Sequence, residues 1–172
     1  MEGRPPLRTV PDFPTAGIQF IDITPWLGDG ESFQAAIREL AEFGRELGAE
    51  AVAAPEARGF LVGAPIAAQL GIGFVPVRKP GHLPYRAIRR DYDLEYGTAA
   101  VEMHLDAVRP GQKVLVCDDL LATGGTAAAV MELVRHLGGE PVGLGFLVEL
   151  TFLHGRRQLG GLPLRTLVQI DA

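Results

Sequence analysis

One segment constrains the fold more than any other part of the chain: the thirteen residues from Val114 to Thr126. It opens with the apolar run Val114 to Cys117, continues with the acids Asp118 and Asp119, and ends in a turn of small and hydroxyl-bearing residues. The apolar run predicts a short buried strand, and the apolar positions after the turn recur at helical spacing. The segment therefore predicts a strand, a tight turn and a helix, with two carboxylates at the carboxyl end of the strand.

The turn, Ala122 to Thr126, has the composition of an anion-binding loop. Gly124 and Gly125 allow the backbone to approach an anion closely, and the unpaired N–H groups that start the next helix point toward it. Thr123 and Thr126 can add hydroxyl donors. The glycine spacing differs from that of a dinucleotide-binding fingerprint, and the Gly-Lys-Ser/Thr ending of a nucleoside triphosphate loop is missing, so neither ligand is expected.

The paired acids Asp118 and Asp119 indicate what else the ligand carries. Two carboxylates would repel a phosphate that they faced, so they are better suited to accept hydrogen bonds from neutral hydroxyls, such as those of a ribose. A helix cap or a surface turn is the alternative role for such a pair. Its place between a buried strand and a Thr-Gly-Gly-Thr turn favours the functional role, and the segment predicts a ribose 5-phosphate site.

The remaining pattern alternates strands with helices. Such alternation predicts an α/β fold with a mostly parallel sheet covered on both faces and with ligands at the carboxyl ends of the strands. The predicted strands are residues 49–54, 74–77, 114–117 and 142–150, and the predicted helices are residues 31–47, 61–70, 98–108 and 127–137. The lead-in from Met1 to Pro14 has neither period and is expected to wrap the surface.

The polar stretch Arg78 to Glu95 shows no clear periodicity and is predicted to be mostly loop. A loop of this length within a compact domain is often a lid over a site. Of the 16 Lys and Arg in the chain, five lie in its first 13 residues, Arg78, Lys79, Arg86, Arg89 and Arg90. Basic residues clustered in an acidic protein favour a lid that closes on an anion, although a solvated charged loop is the alternative.

Size and charge exclude several classes of protein. With 172 residues and 47% of them hydrophobic, the chain fits one domain with a sizeable core. A net charge of −5 argues against binding to nucleic acid or to a membrane surface, and no apolar run is long enough to span a bilayer. The single cysteine, Cys117, is expected to be a buried thiol, and the protein is expected to be cytoplasmic. His104, His136 and His154 are scattered and form no metal-ligand pattern.

The segment from Val114 to Thr126 resembles the phosphoribosyl pyrophosphate signature of the type I phosphoribosyltransferase family. The rest of the chain resembles one branch of that family, the adenine phosphoribosyltransferases. The elements that carry this resemblance are Asp12-Phe13-Pro14-Thr15, Glu56-Ala57-Arg58-Gly59-Phe60, Arg78-Lys79-Pro80-Gly81, Leu94-Glu95-Tyr96-Gly97 and Val148-Glu149-Leu150-Thr151. The Leu-Glu-Tyr-Gly element distinguishes this branch from its relatives.

The resemblance implies a single phosphoribosyltransferase domain over residues 1–172. Its fold would be a mostly parallel sheet flanked by helices, with a small hood from residues 1–30 and about 150–172 and a flexible lid loop over residues 79–95. The activity implied is transfer of the phosphoribosyl group of 5-phosphoribosyl 1-pyrophosphate to adenine, which gives AMP and pyrophosphate in purine salvage. The family uses Mg²⁺, bound mainly through the pyrophosphate substrate, and a homodimer is expected.

The resemblance also assigns roles to individual residues. Glu95 would handle the proton at purine N7, with Tyr96 packed nearby, and Arg58 would contact pyrophosphate; Glu95 and Arg58 are therefore the candidate catalytic residues. Glu56 to Gly59 would form the pyrophosphate loop, in which this fold often has a cis peptide. The candidate substrate-binding residues are Asp118, Asp119, Ala122, Thr123, Gly124, Gly125, Thr126, Glu56, Ala57, Arg78, Lys79, His82, Tyr96, Gln19, Phe20, Ile21 and Leu150.

Three residues depart from the family pattern. Gln19 and Ile21 stand where family members usually have an apolar residue and an arginine around the phenylalanine that stacks on the base, here Phe20. An amide at Gln19 could change the choice of purine, so hypoxanthine, guanine and xanthine remain alternative substrates. His82 stands where family members commonly have lysine. A regulator that binds the ligand without catalysis is a further alternative, but such proteins usually carry a nucleic-acid-binding segment or a basic face.

Overall fold

Parallel strands with helices on both sides form the centre of the fold. The computed structural model describes residues 5–93 and 98–171. Within these residues the elements are β1 (Arg8–Pro11), β2 (Gln19–Asp22), α1 (Thr24–Gly28), α2 (Gly30–Glu46), β3 (Ala51–Pro55), α3 (Arg58–Leu70), β4 (Gly73–Val77), β5 (Ala87–Asp93), β6 (Thr98–His104), β7 (Lys113–Leu121), α4 (Gly125–His136), β8 (Glu140–Leu150), two 3₁₀ helices (Thr151–Leu153 and Gly155–Gln158) and β9 (Leu164–Ile170).

The central sheet has the strand order β4-β3-β7-β8-β9, and all of its neighbouring strands are parallel. One face of the sheet packs on α4 and the other on α2 and α3, so β7 is buried on both sides. Alternate residues of β7 enter the two cores: Val116 belongs to the first, and Leu115 and Cys117 belong to the second. The predicted α/β fold with a parallel sheet flanked by helices is confirmed.

Local signals explain where the helices begin and end. Asp29 caps α2, and its side chain accepts a hydrogen bond of 2.9 Å from the backbone N–H of Ser32. Gly71, in the left-handed conformation, ends α3. The helices predicted over residues 31–47, 61–70 and 127–137 are therefore present, with boundaries shifted by at most a few residues.

Two predictions on either side of residues 94–97 are wrong. Residues 98–108 do not form a helix, because Thr98–His104 is the strand β6, which pairs antiparallel with β5. Part of the predicted loop over 78–95 is likewise β5. Val101 and Met103 of β6 are buried while their neighbours are partly exposed, which is the period of a strand. Local helix preference is weak, and pairing with β5 overrides it.

A strand lies near each end of the chain. The lead-in contains a short strand, β1, which pairs antiparallel with β2 in a separate two-stranded sheet. At the other end, β9 is the edge strand of the central sheet beside β8 and was not recognised in the sequence. None of the helices in residues 5–93 and 98–171 is long and apolar enough to cross a membrane.

Candidate active site

A cavity of about 390 Å³ opens at the carboxyl edge of the central sheet, where β3, β4 and β7 end. The hairpin of β5 and β6 forms one of its walls through Tyr92 and through Ala99 to Val101. The residues predicted for the site that line this cavity are Glu56, Ala57, Arg58, Arg78, Lys79, Asp118, Asp119 and Thr126. Segments far apart in the sequence thus meet at one edge of the sheet.

A smaller hollow of about 60 Å³ lies against the turn between β7 and α4. The predicted residues Ala122, Thr123, Gly124 and Gly125 line it, and it shares Asp118 and Thr126 with the larger cavity. Gly124 has a φ of +87°, a backbone conformation that side chains disfavour. The turn and the acids are therefore placed side by side, as a ribose 5-phosphate ligand would require.

The acidic pair lies at the junction of the two hollows. Asp119 is 3% exposed, and its Oδ2 lies 3.1 Å from Nε of Arg58. The alignment of this ion pair is too poor for a hydrogen bond, so in the described part of the chain that buried oxygen has no hydrogen-bond donor. The backbone N–H of Asp119 donates to Oδ1 of Asp118 at 2.8 Å. The pair therefore keeps acceptor capacity for a ligand.

Desolvation raises the pKa of the Asp118 carboxyl well above its usual value, and the neighbouring charge of Asp119 raises that pKa further. Close packing contributes to this desolvation, because a Cβ on Gly59 would lie 2.9 Å from Oδ1 of Asp118. The first turn of α3 approaches the acid directly for this reason. A proton on Asp118 would turn one of its oxygens into a hydrogen-bond donor.

Glu56 organises the segment that follows β4. Its Oε2 accepts a hydrogen bond of 2.5 Å from Nε of Arg78, and its Oε1 accepts one of 3.0 Å from the backbone N–H of Lys79. Nδ1 of His82 lies 2.6 Å from the same Oε1. Partial burial raises the pKa of Glu56, but the hydrogen bonds from Lys79, Arg78 and His82 outweigh it and leave that pKa below its usual value. An ionised Glu56 therefore holds Arg78 and His82 together.

The peptide bond between Glu56 and Ala57 is cis. Ala57 and Arg58 follow it directly, so the chain passes from the end of β3 into the first turn of α3 at the floor of the cavity. His82 is placed by Glu56 and does not belong to the cavity lining.

The residues predicted to surround the base lie partly at the surface and partly in the hydrophobic core. The guanidinium of Arg58 lies 5.4 Å from the ring centroid of Phe20, and this contact joins β2 to the first turn of α3. Gln19 is exposed, whereas Ile21 and Leu150 are buried in the same hydrophobic core. The side chain of Ile21, where the family pattern has arginine, therefore packs inward, and none of these four residues lines the 390 Å³ cavity.

Glu95 and Tyr96, for which roles beside the base are predicted, lie outside the described residues. A residue that was not recognised in the sequence does line the cavity: Tyr92, whose hydroxyl accepts a hydrogen bond of 3.1 Å from the hydroxyl of Thr126. No signal distinguished Tyr92, because it falls within the stretch interpreted as loop. Across the residues described, no three His, Cys, Asp or Glu side chains gather as a metal site.

Comparison with known proteins identifies relatives over almost the whole chain. Residues 27–159 match the phosphoribosyl transferase domain. The chain is 54% identical to the adenine phosphoribosyltransferase of Brevibacillus brevis over 163 residues, which cover 95% of this chain and 96% of that protein. Its structure resembles the crystal structure of adenine phosphoribosyltransferase from Thermoanaerobacter pseudethanolicus, with a TM-score of 0.92, 52% identity and 95% of each chain covered.

A more distant structure was solved with ligands. Adenine phosphoribosyltransferase from Saccharomyces cerevisiae, complexed with an imino-altritol bisphosphate and adenine, is 40% identical with a TM-score of 0.86. The similarity covers 94% of this chain and 93% of the yeast chain.

Proposed function

The chain belongs to the phosphoribosyltransferase family, within the group of adenine phosphoribosyltransferases, and we propose that it makes AMP and pyrophosphate from adenine and 5-phosphoribosyl 1-pyrophosphate. The observation that carries this proposal is that the turn Ala122–Thr126, the acids Asp118 and Asp119 and the first turn of α3, which carries Arg58, line two hollows that share Asp118 and Thr126. Within one site, these groups supply hydrogen-bond donors for the phosphate, acceptors for the ribose hydroxyls and a positive charge for the pyrophosphate.

The 5′-phosphate and the ribose of 5-phosphoribosyl 1-pyrophosphate bind to different groups of the site. Backbone N–H groups of the turn and the hydroxyls of Thr123 and Thr126 bind the 5′-phosphate, since they are donors at the start of α4. Asp118 and Asp119 accept hydrogen bonds from the ribose hydroxyls, and the buried Oδ2 of Asp119 supports this assignment because it has acceptor capacity to spare.

In the reaction, N9 of adenine forms a bond to C1 of the ribose while the bond from C1 to the pyrophosphate oxygen breaks. Positive charge develops on the sugar and negative charge on the leaving pyrophosphate. Arg58 contacts the pyrophosphate, with Glu56 and Ala57 beside it, and Arg78 and Lys79 add positive charge from the neighbouring loop. His82 supplements them when it is protonated. Holding both reactants in line lowers the barrier through orientation.

By the family resemblance, we assign binding of the base to β2 and to the residues Glu95 and Tyr96. Phe20 stacks on adenine, and backbone groups near Gln19, Ile21 and Leu150 border it. Glu95 accepts the proton that adenine loses from N7 as N9 bonds to the ribose, and so raises the nucleophilicity of the base. Replacing Glu95 with glutamine is expected to lower kcat without unfolding the protein.

Asp118 and Asp119 line the cavity with hard oxygen atoms, which would suit a Mg²⁺ ion bound mainly through the pyrophosphate substrate. When bound, the ion neutralises charge on the pyrophosphate.

The wider organisation follows the family. Residues 1–172 act as one phosphoribosyltransferase domain, with a hood from residues 1–30 and about 150–172 and a lid over residues 79–95. The enzyme works in the cytoplasm as a homodimer, and light scattering that gave the mass of a monomer at working concentration would contradict the dimer.

Turnover with each purine in turn tests the proposed function. Pyrophosphate release with 5-phosphoribosyl 1-pyrophosphate should be fastest with adenine and weak with hypoxanthine, guanine and xanthine. Faster turnover of one of those three would favour the alternative, which rests on the exposed amide of Gln19. Gln19→Leu restores the apolar residue of the family pattern and is the matched variant: it should leave adenine turnover intact and, if the amide admits other purines, abolish their turnover.

A further inference from the structure

The 3₁₀ helix Gly155–Gln158 packs directly beneath the turn between β7 and α4, backbone against backbone. A Cβ on Gly124 would lie 2.5 Å from the carbonyl oxygen of Gly155, and a Cβ on Gly155 would lie 2.3 Å from the carbonyl oxygen of Ala122. Both distances are far below van der Waals contact, so no side chain fits between the two segments. Any movement of Gly155 is therefore transmitted directly to the turn.

Arg156, the next residue, ties this short helix to the sheet. Its Nε donates to Oε1 of Glu149 and its Nη2 donates to Oε2, each at 2.6 Å. A two-point bond of this kind fixes the direction of the guanidinium as well as its distance. The backbone of Arg156, and with it Gly155, is held by the same bond.

Glu149 is itself fixed at the end of β8. It is 4% exposed and also accepts hydrogen bonds from Thr166 at 3.0 Å and from Gln169 at 3.1 Å, both on β9. In the sheet register it lies between Leu121 of β7 and Gln169 of β9. Hydrogen bonds from Arg156 hold the pKa of Glu149 below its usual value, so the carboxylate is ionised and paired at neutral pH.

We propose that Arg156, locked by Glu149, is a positioning residue that sets the phosphate-binding turn through the backbone of Gly155. The ion pair lies next to β7, the strand that leads into the turn. The backbone contact of Gly155 with Ala122 and Gly124 then transmits the position of the ion pair to the turn. The inference rests on the proposed function only in assigning the 5′-phosphate to that turn. Neither Arg156 nor Glu149 lines either of the two hollows of the site.

The adjacent arginine provides a matched control. Arg157 lies on the same 3₁₀ helix and is also exposed, but within the described residues its side chain forms no hydrogen bond or ion pair. Arg156→Met and Arg157→Met therefore remove the same charge and nearly the same side chain, and only the first breaks the bond to Glu149. Arg156→Lys keeps the charge and loses the two-point geometry.

The test measures ribose 5-phosphate binding by isothermal titration calorimetry, which needs no turnover, together with steady-state kinetics and thermal unfolding. Arg156→Met should weaken ribose 5-phosphate about 10-fold and Arg156→Lys about 3-fold, as expected when a binding group is displaced by a fraction of an ångström. Arg157→Met should change it less than about 2-fold. The KM for 5-phosphoribosyl 1-pyrophosphate should rise in parallel, while the KM for adenine stays within about 2-fold.

Glu149→Gln completes the experiment. If the two residues act as one unit, the double variant Glu149→Gln with Arg156→Met should bind ribose 5-phosphate no more weakly than the worse single variant. Folded variants with unchanged ribose 5-phosphate affinity, equal losses at Arg156 and Arg157, or equal rises in both KM values would each overturn the proposal.

Two comparisons separate this inference from a loss of folding and from a failure of the proposed function. Leaving the buried carboxylate of Glu149 without its partner can unfold a protein, and if Arg156→Met does not fold, Arg156→Lys and Glu149→Gln decide the question by the same calorimetry. If the wild-type protein turned over no adenine, the proposed function would fail, whereas the ribose 5-phosphate pattern across the Arg156 and Arg157 variants would still support or overturn the positioning role.

Discussion

The hydroxyl of Thr126 donates a 3.1 Å hydrogen bond to the hydroxyl of Tyr92, which ties the hairpin of β5 and β6 to the first turn of α4. Thr126 has a single hydroxyl proton, so it cannot serve Tyr92 and a phosphate oxygen at the same time. When phosphate binds, this proton is expected to turn toward it, and Tyr92 can then donate its own proton to Thr126. The pair thus links the state of the phosphate site to the hairpin.

Tyr92→Phe should loosen the hairpin in the ligand-free protein. Loss of a hydrogen bond that contributes about 1 kcal/mol should speed amide hydrogen exchange in β5 and β6 by about fivefold. Tyr85→Phe is the control, because Tyr85 is 58% exposed and its hydroxyl has no partner among the described residues. Equal exchange rates in the two variants would show that the bond does not hold the hairpin.

Asp118→Asn and Asp119→Asn should each lower kcat/KM by about 10- to 1000-fold, equivalent to about 1.4 to 4 kcal/mol, because each replaces a carboxyl oxygen that can accept from the ribose hydroxyls with an amide N–H donor. Steady-state kinetics with adenine measure the effect. Asp106→Asn, at an exposed position after β6, controls for the change in net charge. Wild-type kinetics in both site variants would refute the ribose role.

Asp118→Asn should also stabilise the protein at alkaline pH. In an unfolded chain this carboxyl ionises near pH 4, at about its ordinary value, whereas burial and Asp119 raise the pKa in the folded protein. Between those two values the folded state binds more protons, so stability falls as the pH rises. Asparagine does not titrate and escapes this loss.

The melting temperature of Asp118→Asn, compared with wild type by calorimetry, should therefore gain with increasing pH from about pH 4 and level off above the raised pKa of Asp118. Each kcal/mol corresponds to roughly 2 to 4 °C at this chain length. A gain that does not change with pH would mean that Asp118 ionises as easily in the folded protein as in the unfolded chain.

His82→Lys should change the KM for 5-phosphoribosyl 1-pyrophosphate more at pH 8 than at pH 6. Lysine is charged at both values, whereas histidine carries more of its positive charge at the lower one. An exposed charge of this kind should alter KM by about threefold at pH 8 and by less at pH 6. His136→Lys, on the exposed end of α4, is the control. Equal effects of His82→Lys at both pH values would sink the idea.

The strongest parts of the fold were predictable because local sequence and tertiary structure agree there. Val114 to Cys117 is an unbroken apolar run, and β7 is buried on both faces, so the apolar pattern and the tertiary environment specify the same buried strand. Glycines and threonines after it allow little except a tight turn and a helix start. The cluster of Asp118, Asp119 and the turn could be inferred for the same reason.

The hairpin could not be predicted, since its strands depend on each other. β5 carries Arg89, Arg90 and Asp91 in succession and has no apolar alternation, and it becomes a strand only through pairing with β6. The bond between Tyr92 and Thr126 and the contact between Gly155 and Gly124 join residues more than 30 positions apart, or across strands, and leave no local pattern. Contacts of this kind are visible only in the folded chain.

Cys117 stands immediately before the acidic pair and is completely buried, and burial raises the pKa of its thiol. A thiol in this state is a poor nucleophile toward labelling reagents, because only the thiolate reacts readily. Modification therefore has to wait until β7 separates from the helices that cover it. Because the chain has one cysteine, the rate of thiol labelling reports how often the strand that carries the ribose-binding acids separates from its helices. Ribose 5-phosphate, by stabilising the packed strand, should lower that labelling rate.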